Sequence, residues 1–421
     1  MHRRVLAFAA ALATAAVAAA AAHAQPTVLE GELAGAPYEI IVPETWNGTL
    51  VVLAHGYRDK ADHPGEVDDR TALGTGSSSM APVAAGLAAQ GYAVAATAYR
   101  DNGWAVKESI HDITALRAAF NGLVGKPETA LLMGFSLGSL VTATLAERAG
   151  GLFDGYLAGC GVLAGAPRAW DMGAAGMLAY DLIYGMPAAW GTPADADDDV
   201  DFETEVFPVL FGQVFAPTDY GRWEFIRLIS GARGPTVPLP PVLYPSWLFT
   251  NLFFFTEARA EAERRAGGAY VQNVTHTYTL TAAEHAYLAS LGFNAAPVLA
   301  SMNASPRFSG ERSARNYMSH YATFSGKLTD PVLTIHTKWD TLVPWGHESA
   351  YAETVAAAGR SSLLLQASTS GLGHCNFTPT ELGASVAFLE SWAETGVKPS
   401  PALLALFGLD ALSTPPAWPQ P

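Results

Sequence analysis

The sequence predicts an α/β fold: a mostly parallel sheet covered by helices on both faces, with a mainly helical cap inserted late in the sheet. Three observations carry this expectation. Short, continuously apolar runs such as "TLVVLA", "YAVAATAY" and "ETALLMGF" alternate with stretches of helical periodicity. Strands that are apolar on both faces belong in parallel sheets buried on both sides. The alternation stops between Gly165 and about Ser325, where aromatic residues crowd, and resumes at Pro331. Finally, one serine, Ser136, stands between two glycines where an apolar run gives way to a helical one.

Taken in order, the first 24 residues read as an export signal. Arg3 and Arg4 precede an Ala-rich apolar run, and Ala22-His23-Ala24 forms a cleavage pattern before Gln25. "TVLEGELAG" and "PYEIIVP" alternate as an opening hairpin. "GTLVVLAHG" is a buried strand ending at Gly56, followed by a polar loop. "MAPVAAGLAAQ" is a helix stopped by Gly91. "YAVAATAYR" is a strand, and "VKESIHDITALRAAFNGLVG" a helix with Ile110, Ile113, Leu116 and Phe120 on one face. "ETALLMGFS", "LGSLVTATLAERAG" and "GYLAGCGVLAG" then give strand, helix and strand. After the aromatic segment come "PVLTIHTKWD" (strand), "GHESAYAETVAAAG" (helix), "SSLLLQAS" (strand) and "PTELGASVAFLESWAETG" (helix). The expected division is a signal peptide over 1–24, a sheet-containing core over 25–164 and 326–397, the inserted cap over 165–325, and a Pro- and Ala-rich tail over 398–421 with a loose end.

Half of the 421 residues are hydrophobic, enough for a sizeable core, and the formal net charge is -15. An acidic chain without clustered Lys and Arg excludes a nucleic-acid-binding surface. No stretch after the signal is long and apolar enough for a membrane anchor. The expected location is therefore outside the cytoplasm, secreted or periplasmic. No metal or cofactor is implied: histidines are scattered, "TGSSS" lacks the Gly-Lys-Ser/Thr of a phosphate loop, and the acidic run Asp195 to Glu205 has Val200 where a calcium loop needs glycine. That run reads as a solvated loop.

The chemistry starts at "GFSLG". A strand that turns sharply into a helix holds its junction residue in strained geometry. Gly134 and Gly138 relieve crowding there and leave the Ser136 hydroxyl exposed at the carboxyl edge of the sheet. Leu137 opens the helix, so its N–H is a free donor at a positive helix terminus. A serine needs a base and an orienting acid to act as a nucleophile. Asp340 follows a late strand in "KWDTLVP", and His374 lies in the Gly-rich loop "GLGHC" before the last helix. In this reading His374 takes the Ser136 proton and Asp340 fixes the imidazole. "LAHGY" ends an early strand, and the N–H of Tyr57 joins that of Leu137 as the oxyanion hole. His55 is read as a structural, hydrogen-bonded residue.

With "LAHGY", "GFSLG", "KWDTLVP" and "GLGHC" spread across nearly the whole mature chain, the sequence resembles the α/β-hydrolase family, and more narrowly secreted bacterial hydrolases grouped with the prolyl-oligopeptidase-like serine hydrolases. The resemblance implies an eight-stranded sheet with one antiparallel strand near its start and a cap after the sixth strand. The oxyanion segment departs from the "HGGG" pattern of some esterases. In such a fold Cys160 and Cys375 fall at the same sheet edge, and export lets the pair persist as a disulfide. The expected activity is cleavage of a small-molecule carboxylic ester, with an apolar acyl or aryl group, through a Ser136-His374-Asp340 triad and an acyl-enzyme. A peptidase on the same triad is the alternative. A non-catalytic binding protein on this fold is a third reading, against which the intact triad argues.

Overall fold

The computed structural model describes residues 25–76, 79–214 and 219–418, so the expected signal segment and the last three residues lie outside it. Eight strands build the main sheet: β1 (Thr27–Leu33), β2 (Ala36–Val42), β3 (Thr49–Ala54), β4 (Ala93–Thr97), β5 (Thr129–Phe135), β6 (Gly155–Gly159), β9 (Val332–Trp339) and β10 (Leu364–Leu372). Two short strands, β7 (Gly191–Thr192) and β8 (Asp195–Ala196), form a separate ribbon. The sheet order is β1-β2-β4-β3-β5-β6-β9-β10. β2 runs antiparallel to both its neighbours, and every other pairing is parallel. This is the α/β-hydrolase fold, with its one antiparallel strand near the start and the long insertion after β6.

The continuous apolar runs have a simple physical origin. β3 to β6 are buried along their whole length because helices cover both faces. Alternate residues point to opposite sides. Leu50 and Val52 of β3 pack with Leu132 of β5 against the helices Val106–Leu123 and Leu137–Arg148. Val51 and Leu53 pack with Leu131, Met133 and Leu157 against the helix Pro379–Thr395, through Val386, Leu389 and Trp392. That last helix has a full capping box: Thr378 and Glu381 each bond the other's backbone N–H, and Gly396 closes it in the left-handed conformation.

Between β6 and β9 the chain is mainly helical. Many of its aromatic residues, including Trp190, Trp223, Phe225 and Trp247, build a core of their own, to which the far end of its first helix adds Tyr180. Its first and last helices also reach the sheet. Ala166, Trp170 and Ala174 of Ala166–Tyr184, with Ala314, Met318 and Ala322 of Arg312–Ala322, join the sheet-side core around Leu140, Val141 and Leu145. An ionic seam fastens a third helix, Glu257–Ala266. Arg265 bonds Glu261 at 2.6 Å, Asp101 at 3.1 Å and Glu108 at 3.3 Å, while Glu261 accepts from the Trp104 N–H at 2.8 Å.

The tail is packed as far as Trp418, and the end expected to be loose lies outside the described residues. Pro401–Ala405 is helical, Leu404, Leu409 and Trp418 are buried, and Ser368 and Asp410 exchange backbone bonds of 2.8 Å. A tail without periodicity gives no sign of packing, because the partner surface is distant in sequence.

Two glycine substitutions separate packing from chain entropy. A methyl group on Gly138 would collide with the carbonyls of Ala54 and His55, whereas one on Gly122, in an exposed helical turn, would meet nothing. Gly138→Ala is expected to lower unfolding free energy by at least about 2 kcal/mol, and Gly122→Ala to raise it by roughly 0.4–1 kcal/mol. Denaturant titration of both variants checks the contrast.

Candidate active site

Strand β5 ends at Phe135, the helix starts at Leu137, and Ser136 between them has φ 55° and ψ -120°. A non-glycine residue with positive φ is rare and strained, and persists where its surroundings hold it. They do so here. Ser136 N–H donates to the Gly159 carbonyl at 3.0 Å, and its own carbonyl accepts from Ser139 at 3.0 Å. The Ser139 hydroxyl lies 2.7 Å from the Gly134 carbonyl and 2.5 Å from that of Gly159, tying the first helical turn to β5 and β6. A side chain at Gly134 would strike the Gly138 carbonyl and the Thr142 hydroxyl, so both flanking glycines are required by contact.

Asp340 follows β9 and is buried. One oxygen accepts from the N–H groups of Leu342 at 2.9 Å and Val343 at 2.8 Å; the other lies 2.7 Å from His374 Nδ1. The loop carrying Asp340 is held from the inserted segment, since Asn251 Nδ2 donates to the Thr341 carbonyl at 2.9 Å. β10 runs to Leu372, further than the sequence suggested, so His374 sits just past a strand end. The Thr337 hydroxyl donates to the Gly373 carbonyl at 2.6 Å, which fixes that end. Ser136 and His374 line one cleft of about 570 Å³, together with Gly56, Tyr57, Phe254 and Leu342.

Cys160 and Cys375 are disulfide-bonded, with Cα atoms 5.3 Å apart and a separation of 215 positions in sequence. Both have positive φ, 48° and 54°. Closing so long a loop is worth on the order of 5 kcal/mol in the chain-entropy model. The bridge joins the residue after β6 to the residue after His374, whose Nε2 lies 3.5 Å from Cys375 Sγ.

Tyr57 and Leu137, expected at the oxyanion hole, line a second space with Ser136. This narrow pocket, of about 80 Å³, is walled by Trp104, Trp170, Met172, Phe254, Phe255 and Trp418 among others. Gly56 lets the strand end come close to the serine: a methyl group on it would sit 3.2 Å from Ser136 Cβ. His55 is buried and structural. Its Nδ1 lies 2.7 Å from the Gly56 carbonyl and its ring stacks on Tyr99 with centroids 3.8 Å apart. Burial, reinforced by nearby Arg58, pushes its pKa down to about 3.

Several residues escaped the sequence reading. His336 lies four positions before Asp340, fully buried behind it. Its Nε2 is 2.8 Å from the Val343 carbonyl and 3.6 Å from Asp340 Oδ2, and its Nδ1 is 3.3 Å from Glu348 Oε1. Burial alone would lower its pKa, but the bond to Glu348 and the charges of Asp340 and Glu348 outweigh it and raise the pKa. The i, i+4 spacing in "HTKWD" was the one available signal. Trp104, Trp170 and Asn251 gave none beyond residue type. Trp418 lies in a Pro- and Ala-rich tail without periodicity.

No protein-family model and no curated protein matches the chain. Among solved structures it is similar to an esterase from Aspergillus oryzae, at 15% identity over 89% of this chain and 80% of that one, with a TM-score of 0.47. It is also similar to feruloyl esterase B from Aspergillus oryzae, at 15% identity over 88% and 80%, TM-score 0.43. A proline iminopeptidase from Mycobacterium smegmatis aligns at 15% identity over 91% and 99%, TM-score 0.39. The fold assignment rests on the strand order above, and these similarities add no argument to it.

Two outcomes follow from this geometry. The denatured, unreduced protein is expected to yield no thiol in a thiol titration, and two thiols after reduction. A buried neutral His55 whose pKa is depressed below 6.5 contributes stability that is complete above pH 6.5 and lost as pH falls toward 3. His55→Gln should therefore flatten the acid-side loss of unfolding free energy relative to wild type, as read from urea midpoints between pH 7 and pH 4.5.

Proposed function

We propose that the protein is an exported serine hydrolase that cleaves carboxylic esters through an acyl-enzyme, with Ser136 as nucleophile, His374 as base and Asp340 as orienting acid. The observation that carries this reading is the strained Ser136 sharing a cleft with a His374 whose Nδ1 is held at 2.7 Å by a buried carboxylate. With Asp340 accepting at Nδ1, the imidazole keeps its proton there and offers Nε2 as the base. The Ser136 oxygen attacks the ester carbonyl while its proton passes to His374. The imidazolium then gives that proton to the departing alcohol, and water repeats the sequence on the acyl-enzyme. Two backbone amides on the other Asp340 oxygen fix the carboxylate in direction. Leu137 N–H, at the helix terminus, and Tyr57 N–H are assigned to the developing oxyanion.

The aromatic walls of the pocket support an apolar acyl or aryl group. Among the described residues lining the cleft and pocket there is no carboxylate to hold a peptide amino group, and Arg58 is committed to the carbonyls of Thr71 and Ala72 at 2.6 and 3.2 Å. An ester is thus favoured over a peptide. Export is inferred from the signal-like residues 1–24 and fits the disulfide. No helix among the described residues is long and apolar enough to cross a membrane.

Ser136→Ala is expected to reduce turnover of p-nitrophenyl esters by roughly 10⁴–10⁶-fold, with the thermal midpoint retained. A fluorophosphonate should label Ser136 alone, located by peptide mass spectrometry. Labelling at another residue overturns the assignment, and turnover of aminoacyl-anilides with none of esters would select the peptidase.

A further inference from the structure

We propose that the C-terminal segment ending at Trp418 forms the closed end of the acyl pocket and sets the length of the group the enzyme accepts. The inference rests on the assignment of Ser136 as nucleophile, and it concerns a residue more than 280 positions away in sequence. Trp418 is 4% exposed and lines the same narrow pocket as Ser136, Trp170 and Met172.

The indole is held by two neighbours. It meets the His347 ring edge-on with centroids 4.4 Å apart, and the Arg168 guanidinium carbon lies 5.4 Å from the ring centroid. His347 is itself fixed, because its Nδ1 accepts the Ala164 N–H at 2.9 Å. The tail backbone runs directly beside Gly346: a methyl group placed there would lie 3.4 Å from the Pro416 carbonyl and 3.7 Å from Trp418 Cα.

What lies beyond makes the segment a partition. Ala417, the preceding residue, lines a separate space of about 310 Å³ with Arg233, His276, Thr281 and Glu284, and Met172 lines both spaces. The tail and Met172 thus stand between an apolar pocket of about 80 Å³ at the nucleophile and a larger polar one behind it. A substrate chain entering past Ser136 stops at the indole. Removing the ring should open the first space toward the second. Each methylene that gains room in a hydrophobic pocket is worth roughly tenfold or more in discrimination.

The test compares wild type, Trp418→Ala and Trp418→Phe on p-nitrophenyl acetate, butyrate, hexanoate, octanoate and decanoate. The expected result is that Trp418→Ala raises the ratio of kcat/KM for octanoate to that for acetate by at least about tenfold, with Trp418→Phe between it and wild type. A ratio equal to the wild-type value in both variants, or a uniform loss across the series, overturns the proposal and leaves Trp418 a packing residue. Wild type inert toward every ester overturns the ester reading instead. The pocket is then read from calorimetric binding of hexanoate, octanoate and decanoate. Trp418→Ala must gain affinity for decanoate relative to hexanoate, and no gain overturns the partition.

Discussion

The site depends on one backbone crossing. Where β5 becomes a helix, the helix start must pass so close to the end of β3 that nothing larger than hydrogen fits at Gly138 against the Ala54 and His55 carbonyls. That approach forces Ser136 into positive φ, and the positive φ lifts its hydroxyl out of the turn. It also brings Gly56 and Tyr57 to the serine, so the surroundings of Ser136 are set by the same contact. The strain is held by backbone bonds from β6 and by the Ser139 hydroxyl.

The other half of the site is assembled by tethers rather than by a single turn. Asp340 is fixed by its own loop's amides and His374 by a strand end, a Thr337 bond and the residue after it, Cys375. The disulfide reaches across to Cys160, just past β6, whose Gly159 carbonyl also receives the Ser136 N–H. His374 and Ser136 are therefore both anchored at the end of one central strand. The shared anchor bears on the relative placement of the two side chains as well as on stability. Behind Asp340, His336 lies between two carboxylates, and its raised pKa follows from that placement.

The inserted segment divides its aromatic residues between two tasks. Trp190, Trp223 and Trp247 fill the segment's own core, while Trp170, Phe254 and Phe255 line the pocket that Ser136 shares. An amino-acid count cannot tell these groups apart, because both are simply large and apolar. Asn251, on the helix Tyr244–Phe255 with the two phenylalanines, holds the Asp340 loop, so the walls of the pocket and the acid are mechanically joined.

Most of the sheet was legible in the sequence, because strands buried on both faces must be apolar throughout and their covering helices must be amphipathic. Ser136, Asp340 and His374 were legible too, since each follows a strand and strand ends of a parallel sheet share one edge. The geometry joins His374 to Asp340 and sets Ser136 in the same cleft. The cysteine pairing was legible only once that edge was assumed, since spacing alone carries no Cα distance. His336, Asn251 and Trp418 were decided by tertiary structure. Each acts through a partner brought near by folding rather than by periodicity: a carboxylate four residues on across a strand end, a loop ninety residues away, and a pocket reached only because the tail packs back on β10 and His347. Local sequence encodes what a segment must bury. Which distant group it will meet is fixed only when the whole core closes around it.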